Sequence, residues 1–554
     1  MNRSAVRRAA VFFVPAFFGL STGVAAQPDS GNFVAVELDD VSTMMTGFSH
    51  SNLGGEAFSG VAWLDYNGDG WLDIYVANGQ GFDDGLLRND GGTGFTNVSQ
   101  QMGLADGVGS SGVVAADLDN DGDVDILVTG DNGAIYSPLT SPNRLFRNDG
   151  VTFTDVTAQS GLVVPPVPGS GWHAALGDVD RDGFLDVFLT APGSLVARTQ
   201  PPNLLFRNHG DLTFTEVGAG AGVDYAYGAC EAAFTDYDFD GWTDLVTADC
   251  NEINMAPTPI HLFRNNRDGT FTDETLDVGL DTMNHRDPSP FGRGGWMCVG
   301  LGDYDNDGDF DIFATNLGPV FVPFQEHGFF EQNTDGTFTS VETEVGIGDV
   351  AREFGWGCSF ADFNNDGFED LTFAGSLPAM GQVGELGNPG YLWVNLGQNR
   401  FRNEGLPVDL SERFSSGVAT GDFDNDGFVD ALYGIGSWSG DPVAKPVLLR
   451  NRGNGNNWLT VRLKATSGNP DAIGARVRVD LPGRLLTKEV RAGSSFLSQD
   501  SPWLHFGLNK SDGADRLFVA WPSGLRELYE NIAANQLLTL TEGQGRTLAD
   551  GESF

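Results

Sequence analysis

A nine-residue acidic segment, Asp65-Tyr-Asn-Gly-Asp-Gly-Trp-Leu-Asp73, recurs six more times along this chain. Position 1 is Asp65, Asp117, Asp178, Asp236, Asp303, Asp362 and Asp422. Position 3 is Asn67, Asp119, Asp180, Asp238, Asp305, Asn364 and Asp424, and position 5 is Asp69, Asp121, Asp182, Asp240, Asp307, Asp366 and Asp426. Position 7 is Trp71, Asp123, Phe184, Trp242, Asp309, Phe368 and Phe428; position 9 is Asp73, Asp125, Asp186, Asp244, Asp311, Asp370 and Asp430. Alternate side-chain oxygens, the position-7 backbone carbonyl and a closing carboxylate suit a hard divalent cation. An invariant Gly at position 6 permits a sharp turn with positive φ. One copy would read equally well as a solvated acidic turn. Seven copies at fixed spacing predict calcium loops, about seven ions in all. An apolar run such as Ile74-Tyr-Val76 follows each, so each loop joins two strands rather than two helices.

The loops start 52 to 67 residues apart, which suits four-stranded propeller blades. A second phrase falls between them: Leu86-Leu-Arg-Asn89, Leu145-Phe-Arg-Asn148, Leu205-Phe-Arg-Asn208, Leu262-Phe-Arg-Asn265, Phe330-Glu-Gln-Asn333, Leu392-Trp-Val-Asn395 and Leu449-Arg-Asn451. Six of the seven run on into a strand led by Phe95, Phe153, Phe214, Phe271, Phe338 or Phe401; the seventh runs into Gly453-Asn-Gly-Asn456. The segment Phe33-Val-Ala-Val-Glu-Leu38 supplies a strand of the missing type and would complete the last blade, leaving no free edge. The expected fold is all-β: a seven-bladed β-propeller over 33–452 with a calcium loop in each blade, then a small β-domain over 457–545. That tail holds ten Lys and Arg against nine acids. Its Arg476, Arg478, Arg484, Lys488 and Arg491 read first as a solvated strand face, and otherwise as partners for the propeller acids or an external anion.

Composition sets the compartment and excludes some partners. Residues 1–26 have a basic start, an apolar middle and Val24-Ala-Ala26 before Gln27, so they read as a signal peptide cleaved near Ala26. No later stretch is apolar and long enough to span a bilayer. The expected location is secreted or periplasmic. The formal charge is −45, and losing the leader's three arginines makes it −48. Seven Ca²⁺ would leave about −34, still repelling nucleic acid and anionic membrane. Four cysteines occur. Cys230 and Cys250 lie six residues before and after the fourth loop, facing each other across a hairpin, and are expected to form a disulfide. Cys298 and Cys358 precede successive loops and would meet between neighbouring blades.

The repeats resemble FG-GAP/VCBS repeats, the blades also found in the integrin α-subunit propeller. The tail resembles the ASPIC and UnbV domain through Asp471-Ala-Ile-Gly-Ala-Arg-Val477, the run Val490 to Gln499, Leu504-His-Phe-Gly-Leu508 and Trp521-Pro-Ser-Gly524. The combination is similar to the cartilage acidic protein family. The resemblance implies a secreted calcium-binding propeller for adhesion or extracellular interaction. No Arg-Gly-Asp triplet occurs.

Three functions are open on the sequence. The first is a binding module for an extracellular protein or glycan, using connections at 192–203, 251–260, 281–295, 317–328 and 376–390; within these and the next strand, Phe321, Phe324, Phe329 and Phe330 would form an exposed patch or pack inward. The second is a metal-dependent enzyme with a site in the channel or on one face, drawing on His50, His173, Glu231, His285 and Asp287. His173 and Glu231 each lie five residues before a loop and would together hold an additional transition metal. The third is a structural part of a surface assembly. No nucleophile elbow, phosphate loop or zincin motif is present.

Overall fold

Each repeat unit becomes one antiparallel sheet in the computed structural model, which describes residues 36–549 apart from 47–57, 80–81, 106, 131–140, 195–196, 227, 251–257, 281–294, 317–326, 348–353, 377–387, 412 and 437–444. The first sheet runs Val61–Leu64, Asp73–Val76, Gly85–Asn89, Phe95–Asn97 in sequence order. Five further sheets repeat that order with four strands each. The second strands, such as Asp73–Val76 and Asp125–Thr129, are buried throughout. Both of their faces are covered, so they read as unbroken apolar runs rather than alternating ones. The outermost strands are short and alternate: Phe95 and Phe153 are buried while Thr96 and Thr154 face water.

The last sheet takes its fourth strand from the other end of the chain. Leu38–Asp40 pairs antiparallel with Val447–Asn451, Leu38 opposite Asn451 and Asp40 opposite Leu449. The pairing therefore lies a few residues beyond the Phe33-led segment expected from the sequence, whose first residues fall outside the described ones. Arg452 fixes the seam by bonding the Asp39 carboxylate. Met45–Thr46 then adds a parallel strand outside Phe95–Asn97, which the sequence did not suggest. Two single-turn helices, Thr157–Ser160 and Gly218–Ala221, and a 3₁₀ turn at Ser42–Met44 were also not foreseen.

The first strands of the seven sheets adjoin in chain order. Val61–Leu64 lies beside Gly112–Ala116, followed by Ala174–Gly177, Ala229–Thr235, Trp296–Gly302, Cys358–Ala361 and Phe414–Gly421, and the last of these lies beside the first. The fold is all-β and propeller-like. Large side chains fill the wedges between sheets: Trp63 of the first stacks on Phe423 of the last at 6.4 Å, both fully buried. Each such side chain contributes about 1.5–3 kcal/mol by leaving water. Phe329 and Phe330 are buried in the same way, so they do not form an exposed patch; Phe321 and Phe324 lie outside the described residues. No helix among the described residues is long and apolar enough to cross a membrane.

The tail is built from two sheets. Asn457–Lys464 lies between Leu504–Asn509 and, in parallel, Gln536–Thr541. The other sheet orders Arg484–Glu489, Arg476–Leu481, Gly513–Ala520, Arg526–Ala533 and Arg546–Thr547. The described residues of the sheets and of the tail belong to one compact unit, and one buried apolar cluster runs from Leu176 and Leu185 into Ile473, Ala492 and Leu517.

Candidate metal centres and the tail that covers them

Backbone geometry makes all seven acidic segments the same loop. The position-6 glycines have φ between 84° and 103°, a conformation that a side chain rarely adopts. Position 4 is left-handed as well, including Arg181 and Phe239 at 57°, a requirement hidden in the sequence because Asn fills most of the other copies. In every loop the position-5 carboxylate accepts the position-7 N–H, as in Asp69 from Trp71 at 2.9 Å. The position-1 carboxylate takes the glycine N–H in six loops, at 2.7–3.1 Å.

These turns bring positions 1, 3 and 9 together. Carboxylate oxygens of Asp117, Asp119 and Asp125 all lie within 4.8 Å of one another, and the same holds for Asp178/Asp180/Asp186, Asp236/Asp238/Asp244, Asp303/Asp305/Asp311 and Asp422/Asp424/Asp430. Burial, with repulsion from neighbouring aspartates added, pushes Asp125 up to about 8, Asp244 to about 9 and Asp422 to about 8. Asp236 Oδ1 and Asp424 Oδ1 are buried with no hydrogen-bond partner. Unpaired, mutually repelling oxygens at this spacing are what a hard cation satisfies, so the residues present fit one. When bound, the ion would supply charge neutralisation and rigidity.

The recurring Leu-Phe-Arg-Asn phrase has a function that its sequence did not disclose. Its Asn backbone N–H donates to the position-9 carboxylate in each sheet at 2.7–2.9 Å. Its side-chain amide then crosses to the preceding sheet, reaching the carbonyl beside that sheet's position-1 aspartate at 2.7–2.9 Å. Asn89 makes the same reach from the first sheet to Phe423 of the last. In the fifth sheet the residue in this role is Gln332, one place before the Asn333 that the spacing suggested. Each loop is thus wired to its neighbour through one amide. The recurrence of this Asn is visible in the sequence, whereas its partner across the seam is set by the register of one sheet against the next.

The tail lies on the loop end of the sheets. Arg462 pairs with Asp65 at 3.2 Å, Glu489 accepts the Asp236 N–H at 3.2 Å, and Asp471 accepts the Asp117 N–H at 2.8 Å. Lys488 pairs with Glu369, whose other oxygen accepts the Asp303 N–H at 3.0 Å. Arg484 bonds the Asp366 carbonyl and stacks on Phe368; Arg476 stacks on Phe239 at 3.9 Å and Arg491 on Phe310 at 4.5 Å. The tail cations therefore face the loops, which corrects the reading of a solvated strand face. Guanidinium groups over aromatic faces gain both charge and stacking energy. Arg478 alone of the five turns inward to its own sheet, bonding Asp480 and stacking on Phe518.

Between those strands and the rest of the tail, residues 492–501 enter the space among the innermost strands. Val113 N–H donates to the Leu497 carbonyl, Gln499 brackets Ala115 with both amide atoms, Ser498 Oγ takes the Val61 N–H, and Asp500 takes the Thr420 N–H. Phe496 reaches the far ends of these strands, edge-on to Trp172 at 5.3 Å and tilted against Trp356 at 5.2 Å. His173 sits against this plug. Its Nδ1 accepts the Leu497 N–H at 3.2 Å, its Nε2 donates to the Ala232 carbonyl at 3.1 Å, and burial lowers it to about 4. Glu231 accepts the Val299 N–H at 2.9 Å, and burial holds it well above the usual carboxylate range. Both ring nitrogens of His173 are thus committed to backbone, so it offers no lone pair to a transition metal. His50, His285 and Asp287 lie outside the described residues. Cys230 and Cys250 are joined as a disulfide.

Comparison with known proteins gives the class. Residues 465–547 match ASPIC and UnbV, residues 54–128 and 236–314 match the FG-GAP-like repeat, and residues 170–200 match the FG-GAP repeat. The chain carries FG-GAP repeats followed by an ASPIC/UnbV domain. It is similar to cartilage acidic protein 1 of Homo sapiens, 27% identical over 522 residues covering 87% of this chain and 71% of that protein. The Mus musculus protein of the same name is likewise 27% identical, over 517 residues covering 87% and 73%. Among solved structures, a lectin of Agrocybe aegerita that recognises non-reducing terminal N-acetylglucosamine aligns at TM-score 0.39 and 17% identity, over 66% of this chain and 83% of that one. That likeness is too loose to transfer a binding property.

Proposed function

We propose that the seven sheets close as a seven-bladed β-propeller and that the protein is a secreted calcium-binding interaction module for an extracellular protein or glycan. One observation carries the reading: five loops each gather three carboxylates within 4.8 Å, and these loops hold together both the sheet-to-sheet amide bridges and the tail. The contact of the last innermost strand with the first supports closure. The Cys230–Cys250 disulfide and a relative named for cartilage support an oxidising, extracellular setting. Antiparallel strands alternate direction, so the connections after each second strand leave from the end opposite the metal loops. Among the described residues the tail sheets bond the loop end, and the opposite end is the proposed recognition face.

Elemental analysis of the purified protein tests the reading. About seven calcium ions per chain are expected, and stoichiometric iron, copper or zinc would overturn it in favour of a metal-dependent enzyme. Probing extracellular-protein and glycan arrays in calcium and again in EGTA would then identify the partner class.

A further inference from the structure

The two remaining cysteines meet where two sheets adjoin. Cys298 is on the innermost strand of the fifth sheet, Trp296–Gly302, and Cys358 opens that of the sixth, Cys358–Ala361. Their sulfurs are 2.6 Å apart, and both residues are fully buried. The Cys358 N–H donates to Cys298 Sγ at 3.1 Å, which fixes the Cys298 sulfur against the neighbouring strand. Their strands are held side by side by packing along the seam. Two unbonded sulfurs have no packing reason to stand so close, and a bonded pair would need only a small movement, to about 2.0 Å.

We propose that Cys298 and Cys358 form a second disulfide, a covalent staple between the fifth and sixth sheets. The chemistry is thiol–disulfide exchange with an external disulfide carrier. One thiolate attacks a carrier sulfur to give a mixed disulfide, and the second thiolate displaces the carrier. The two cysteines lose two protons and two electrons, and the carrier leaves as a dithiol. Exchange needs access, and in the folded protein the Phe496 backbone of the plug lies against Cys298. Oxidation therefore precedes seating of residues 492–501, and the plug then seals the bond from reductants. The staple ties residues 60 apart, a loop long enough to restrict the unfolded chain appreciably. It gives this seam a covalent link between sheets, in addition to the amide bridge and wedge packing found along the ring.

The inference rests on export to an oxidising compartment, as the proposed function does, and Cys230–Cys250 serves as the internal control for that. Full-length protein exported with its own leader is denatured in excess iodoacetamide without reductant, digested and examined by mass spectrometry. The expected result is a linked peptide pair joining Cys298 to Cys358, with no label on any cysteine. Cys298→Ser should leave one labelled cysteine, at 358, and lower the melting temperature by about 4 °C. Labelling of both Cys298 and Cys358 in a sample whose Cys230–Cys250 peptides are linked would overturn the staple while leaving export intact. Labelling of all four would instead count against export itself, and the staple would fall with it.

Discussion

The first and sixth loops differ from the other five at one position, and the tail treats them differently. Asn67 and Asn364 stand where Asp119, Asp180, Asp238, Asp305 and Asp424 stand elsewhere, so these two loops have no complete 1–3–9 carboxylate triad. Tail cations come to the same two loops: Arg462 onto Asp65 itself, and Arg484 with Lys488 onto the Asp366–Glu369 corner. The fifth loop is the opposite case. It carries five aspartates, and the nearest tail guanidinium, Arg491, stacks on Phe310 rather than pairing with a carboxylate. The contrast teaches that negative charge in these turns is met by a divalent ion and by fixed side chains together: Arg207, Arg264 and Arg450 of the sheets sit against the position-3 aspartates of the third, fourth and seventh loops. Where Arg462, or Arg484 with Lys488, comes in from the tail as well, position 3 is Asn and the loop carries one acid fewer at its centre.

Four experiments would break or sharpen that contrast, beginning with the largest expected effect. In calcium-free protein, folded carboxylates such as Asp73 and Asp125, each raised to about 8, and Asp117, raised to about 7, hold protons that the unfolded chain releases near pH 4. Their folded values exceed their unfolded ones, so the stability they give is complete below pH 4 and lost as pH rises to about 8. Melting temperature in EGTA should therefore fall steadily from pH 4 to 8. The gain on adding calcium should grow over the same range. A flat profile in EGTA would break the account. The second experiment is Asp305→Asn in the fifth loop, read at pH 8, where Asp305, raised to about 6, is ionised. It should cost about 2 kcal/mol in saturating calcium by weakening one well-filled site. In EGTA it should stabilise the protein by removing a charge that repels Asp307, while the Asn oxygen still accepts the Asp307 N–H as Asn67 accepts that of Asp69. That reversal of sign is the diagnostic, read by paired denaturation curves.

Third, Asp65→Asn in the first loop should cost less in calcium, about 1 kcal/mol, and should destabilise in EGTA as well, because it removes a partner of Arg462 along with an ion ligand. A sign reversal like that of Asp305→Asn would show that Arg462 gives Asp65 no compensating charge when the ion is absent. Last, Arg462→Ala should cost about 0.5–1 kcal/mol and tighten calcium binding at the first loop, measured by calorimetric titration. Weakened binding there would contradict the exchange of fixed for mobile charge.

Much of the architecture could be read from repetition alone. Seven Asp-rich turns, each followed by an apolar run, specify strands and their order, and counting the Phe-led strands located the gap that Leu38–Asp40 fills. The Cys230–Cys250 bond followed from hairpin symmetry. What stayed hidden depends on contacts between distant segments. The amide bridge from Asn148 to Tyr66 spans 82 residues, and local pattern says nothing about where a side chain lands on another sheet. Gln332 takes that role because its strand pairs one residue out of the expected register. Arg476, Arg484, Lys488 and Arg491 alternate with apolar residues as any half-exposed strand would; only the placement of the tail over the loops turns that face inward. The plug was legible only as the Gly-Ser-Ser-Phe-Leu-Ser-Gln run beginning at Gly493, which carries no periodicity to announce burial.

Stripping the purified full-length protein with EGTA, then following released metal and melting temperature together, tests most directly whether divalent ions hold the acidic turns. About seven calcium ions should leave, the melting temperature should drop by more than about 10 °C, and both should recover on adding calcium back. An unchanged melting curve with no ion released would contradict the account.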